Sequence, residues 1–195
     1  SGFKLVANGV CEFKDNSFID VSGENTSGAG FINIECFKVS GTHSGDVFKA
    51  VGGNAKFDYS SSASNLYKTG SSGGGGCVKL KALAGGFSES FNLPNNGTDL
   101  KNNFLNLVSV SGGEAKTVSV TRLFGSGGSG IVYIEDGSTG SPKKHLIVPS
   151  DDMTVSNHFS KLNGLTVLNL KSSTVNLDTL DLEGGAVVKL SDGNL

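Results

Sequence analysis

The sequence predicts an all-β protein wound as a right-handed parallel β-helix, a β-solenoid that is irregular and loop-rich in its N-terminal part. Three observations carry this expectation. Apolar residues between positions 165 and 194 come in short bursts, VLNL at 167–170, VNL at 175–177, LDL at 180–182 and VVKL at 187–190, with the strand period of 2. The segment also matches itself: TVLNL at 166–170 aligns with AVVKL at 186–190, and KSS at 171–173 with SDG at 191–193, an offset of 20 residues. A unit of that length holds about three short strands and their turns, one coil of a solenoid. Composition agrees, because 29 glycines against three prolines, one methionine and no tryptophan favour turns and strands over helices.

Taken in order, residues 3–23 read as short strands cut by the turn formers Asn8-Gly9 and Asp15-Asn16. SGAGFINIECFKVSG at 27–41 then has counterparts in SGGGGCVKLKALAGG at 72–86 and SGGSGIVYIEDGSTG at 126–140, each a glycine-rich lead-in to an alternating strand. GGNAK at 52–56 echoes GGEAK at 112–116, three periods of 20 later. Polar stretches at 60–64 and 93–97 read as inserted loops. Pro142 and Pro149 bracket KKHLIV, and 150–164 reads as a connector, either a loop or a short helix. The chain is thus expected to be one continuous domain, with an irregular β-rich or early solenoid region at 1–160 and regular coils at 161–195. Leu168, Leu170, Leu177, Leu180, Leu182, Val188 and Leu190 are expected to point inward and stack from coil to coil. The ladder runs to Leu195 without a cap, so the chain reads as a segment of a longer protein with a solenoid end open to self-association.

Charge excludes one class of partner. Net charge is −2 and Arg122 is the single arginine, so no basic stripe exists for counting phosphates and no nucleic-acid partner is expected. Cys11, Cys36 and Cys77 stand singly in apolar runs without metal-ligand spacing, which makes buried free thiols the default and leaves one disulfide, for instance Cys11 with Cys36, open.

Motifs that often carry chemistry read blandly here. GSGGSG at 125–130 has dinucleotide-binding spacing but leads into a strand, where that motif needs a helix N-terminus, so it reads as a flexible turn, as does the glycine run at 73–76. Asp151 with Asp152 and Asp178 with Asp181 are the carboxylate pairs a glycosidase or lyase would need; the first reads as a turn or cap and the second as solvent-facing. His43, His145 and His158 lie far apart and read as surface or turn histidines. The expectation is therefore no catalytic residue, no cofactor and no metal.

The ladder TVNLDTLDLEGGAVVKLSDGN at 174–194 resembles the coils of β-helical passenger domains of Gram-negative autotransporter adhesins and toxins. Gly184-Gly185-Ala186-Val187 and Phe13-Lys14-Asp15-Asn16 look like the paired tetrapeptides of the polymorphic outer-membrane protein family. The resemblance implies a secreted or surface-displayed, non-catalytic adhesin segment that binds a host-surface protein or glycan. A polysaccharide-degrading enzyme on the same scaffold is the alternative, marked by Arg122 within reach of two carboxylates; a structural subunit of an extracellular fibre or viral appendage is the third.

Overall fold

The computed structural model describes residues 1–14, 16–41, 47–54, 72–88, 107–113, 127–149, 166–170, 174–182 and 186–190, with 167–170 and 186–190 described as backbone. These residues form β1 (Gly2–Phe13), β2 (Ile19–Asp20), β3 (Phe31–Gly41), β4 (Phe48–Lys49), β5 (Cys77–Phe87), β6 (Val108–Ser109), β7 (Ile131–Asp136), β8 (Lys143–Val148), β9 (Thr166–Leu170), β10 (Thr179–Leu182) and β11 (Ala186–Leu190). Alternation builds the central strands. In β3, Ile32, Ile34 and Cys36 fall on one face and are fully buried, while Asn33 and Glu35 stand on the other.

β5 repeats this with Val78, Leu80 and Ala82, and β7 with Val132 and Ile134. The three glycine-led segments lie directly side by side, Phe31 opposite Cys77 and Cys77 opposite Ile131, all parallel, although starts 45 and 54 residues apart at 20 residues per coil would set them two to three coils from one another. Aligning them by their serine-glycine starts is one residue out of register for the first pair. The echo at 52–56 and 112–116 is in phase with a real pairing, Phe48 opposite Val108.

The sheet that results has the order β1-β3-β5-β7-β8-β10, beside a three-stranded sheet β2-β4-β6 and a two-stranded sheet β11-β9. One core lies between the first two: Val47, Phe48, Ala50, Val108 and Val110 pack in the same cluster as Ile32, Ile34, Leu80 and Ile134. Phe13 meets Phe48 edge-on at 5.0 Å between ring centroids.

All-β architecture is thus as expected, but the right-handed parallel β-helix is not what forms: no closed solenoid is found among the described residues. The chain reverses at 137–142, where Gly140 takes φ +75° and Gly140 N–H donates to Gly137 O, so β8 runs antiparallel to β7 with Val132 opposite Ile147. β10 then follows β8 in the reversed direction. Strands of 11 and 12 residues and unequal partner spacings also replace the uniform 20-residue coil. That offset is real at one place, where Ala186 pairs with Thr166 and Leu190 with Leu170 in parallel. A local repeat specifies one pairing, and the direction of the next strand is decided by the turn between them.

Four further expectations are corrected. Asn8-Gly9 does not end a strand: β1 runs through it, with a bulge where Ala7 opposes Cys36 and Val10 opposes Lys38. Asn16 does turn, at φ 68°. Leu180 and Leu182 are exposed, because the register that places Thr179 opposite His145 sets the alternate residues Thr179 and Asp181 on the core side of β10. Leu177 is half-buried. The side chains of Leu168, Leu170, Val188 and Leu190 lie outside the described set. Third, Cys11 and Cys36 form a disulfide across the β1–β3 bulge, Cα atoms 6.0 Å apart, and Cys77 is the free thiol. Fourth, the glycine runs are not flexible turns where they are described but a close-packed layer. Gly53 N–H donates to Ser27 O, Gly73 to Gly53, Gly113 to Gly73 and Gly127 to Gly113. A Cβ at Gly73 would fall within 1.9 Å of Ser27 O, and one at Gly113 within 2.1 Å of Gly53 O. Backbones approach that closely only without side chains.

Candidate functional site

Side chains opposite the core form the outer face of the six-stranded sheet, and register alone arranges them in rows. One row runs Lys4, Asn33, Lys79, Tyr133, Leu146; the next runs Val6, Glu35, Lys81, Glu135, Lys144. Each strand supplies a residue to both rows because Asn33/Glu35, Lys79/Lys81 and Tyr133/Glu135 are two apart on the same face.

The middle of these rows is a half-buried charged cluster. Lys81 Nζ lies 3.5 Å from Glu35 Oε1 and 3.6 Å from Glu135 Oε1, so one ammonium is held between two carboxylates. Tyr133 Oη donates to Glu135 Oε2 at 3.0 Å, and Lys79 Nζ sits 5.6 Å from the centre of the Tyr133 ring. Burial, then the Glu135 hydrogen bond and charge, push the Tyr133 hydroxyl up to about 12, so at neutral pH it is a donor and no base. Asn33 Oδ1 is covered and makes no hydrogen bond. Phe31 and Val6 rim the cluster on one side and Leu180 on the other, all substantially exposed.

The described residues among those weighed from sequence sit elsewhere. Asp178 accepts the Lys144 N–H through Oδ2 at 2.7 Å while its own N–H donates to Lys144 O, so it starts β10 on β8. Asp181 faces the core side of β10 opposite Ile147. His145 is not a surface histidine: it is 6% exposed in the core row Ile134-His145-Thr179, its Nδ1 2.7 Å from Thr179 Oγ1. Asp151, Asp152, His43, His158 and Arg122 lie outside the described residues. No group of three or more histidine, cysteine, aspartate or glutamate residues placed to hold a metal occurs among the described residues.

Sequence reasoning passed over Glu35, Lys81, Tyr133 and Glu135, although the three glycine-led segments contained them. Placing 27–41, 72–86 and 126–140 side by side brings IEC, LKA and IED into line, and with that alignment Glu-Lys-Glu reads across the sheet.

No protein-family model, curated protein or solved structure matches the chain.

Proposed function

We propose that the chain is a non-catalytic, secreted or surface-displayed adhesive segment whose ligand, a host-surface protein or glycan, lies across the outer face of the six-stranded sheet. The observation that carries the reading is Lys81 held between Glu35 and Glu135 on a rigid parallel sheet. Its charges are fixed in position before any ligand arrives, beside half-exposed apolar residues that a complementary surface would cover. The Cys11–Cys36 disulfide supports an oxidising location outside the cytosol. Kinship with autotransporter passengers is a further part of the proposal and rests on the resemblance of residues 174–194 to their coils; the β-helical fold is not part of it.

The test is binding of labelled protein to cultured epithelial cells and to a glycan array, wild type beside Lys81→Met and Glu35→Gln. Both variants are expected to lose binding at least about tenfold while keeping their melting temperatures. Binding by both variants at wild-type strength would move the ligand to another surface.

The enzyme reading has one observation in its favour, two carboxylates facing one cation on a single face. The chemistry argues against it: the Lys81 ammonium occupies the space between the acids where a sugar would have to sit, and Tyr133 stays protonated. Release of reducing or unsaturated ends from acidic polysaccharides by wild type, lost in Glu135→Gln, would establish the enzyme instead.

A further inference from the structure

We propose that the free edge of β1 is a homodimerisation surface, on which β1 of a second copy pairs antiparallel about a two-fold axis at Asn8. β1 ends the six-stranded sheet, with β3 its one neighbour among the described strands. Among the described residues, its outer edge therefore presents backbone N–H and C=O groups over a length of 12 residues. The side chains along it are open. Val6 and Val10 are 57% and 58% exposed, Lys4, Asn8 and Glu12 are exposed, and a Cβ added at Gly9 would meet nothing within 4 Å.

The occupant follows from the strand's own sequence. FKLVANGVCEF, residues 3–13, is chemically self-complementary on reversal. Antiparallel pairing centred on Asn8 sets Lys4 opposite Glu12 of the second copy, Val6 opposite Val10, Asn8 opposite itself and Phe3 opposite Phe13. By symmetry each unlike pair occurs twice, so the contact carries two Lys–Glu and two Val–Val cross-strand pairs. Slipping by two residues would set Lys4 against Val10 and Val6 against Asn8, losing both matches, and slipping by one would turn core residues outward. The Lys14 ammonium, 3.6 Å from Glu12 in a largely exposed pair, leaves that carboxylate free to take a second cation. Pairing on this axis keeps the core faces on one side, so the Glu35-Lys81-Glu135 clusters of both copies share one continuous surface.

Sedimentation equilibrium from about 10 μM to about 1 mM tests the proposal. Wild type is expected to pass from monomer to dimer over that range, and Val6→Lys to stay monomeric with an unchanged circular-dichroism spectrum, since Val6 contributes nothing to the core. Lys4→Glu should weaken the dimer about tenfold, and Lys4→Glu with Glu12→Lys should restore it. On a Cys77→Ser background, Asn8→Cys should give a disulfide-linked dimer under mild oxidation and Lys4→Cys should not, because only residue 8 faces its own copy. A wild type that remains monomeric throughout, a dimer that survives Val6→Lys, or equal cross-linking at positions 4 and 8 would each overturn the proposal.

Discussion

Leu80 and Leu182 are both leucines in alternating strands, yet their environments differ completely. Leu80 is fully enclosed and Leu182 is 39% exposed. Leu80→Ala is expected to cost about 2 to 5 kcal/mol and Leu182→Ala under about 1, measured by urea denaturation. His145 offers a second residue-scale test. Burial holds its imidazole below the ordinary histidine value; the Asp178 and Asp136 carboxylates oppose that shift and the Lys143 ammonium adds to it. Its folded form takes up a proton less readily than the unfolded chain, so this contribution to stability is present above about pH 6.5 and is lost as pH falls below it toward the depressed folded value. The melting temperature of wild type should therefore drop between about pH 6.5 and pH 5 more steeply than that of His145→Gln. Parallel curves would show that the histidine does not take part.

At the scale of elements, the glycine layer and β10 stand at opposite ends of a range of rigidity. Gly73→Ala puts a methyl group onto a backbone oxygen with no flexible neighbour to yield, and is expected to cost roughly 3 kcal/mol or more. Gly74→Ala, whose Cβ would meet Gly128 O at an ordinary 3.8 Å, should change stability by less than about 1 kcal/mol. Equal effects of the two substitutions would mean the layer is not packed as described. β10 is held to β8 by a four-residue register, with Leu180 and Leu182 in solvent. Its amides should exchange at least about a hundredfold faster than those of Ile34 and Leu80.

For the molecule as a whole, the disulfide joins residues 25 apart and ties edge strand β1 to the interior strand β3. Closing a loop of that size limits the unfolded chain, and reduction is expected to lower stability by roughly 3 kcal/mol. Thiol titration checks the bridge directly: in denaturant one thiol should react without reductant and three with it. In the native protein the remaining Cys77 should react slowly, because burial raises its thiol.

Sequence by itself determined the strands. Period-2 alternation in 31–41, 77–87 and 131–136 divided the residues between two faces, and the 20-residue offset named two strands that do pair. Those are local signals, carried by neighbouring residues. Tertiary structure alone decided direction, facing and chemistry. The reversal at Gly140 turned β8 antiparallel and removed the solenoid. Register with β8 turned Leu180 and Leu182 outward and enclosed His145. Glu35, Lys81 and Glu135, far apart in the chain, became one cluster only when three strands aligned. Alternation in a strand fixes which residues share a face but carries no information about which face meets the core or which strand lies beside it; those depend on turns and on contacts made across the sheet.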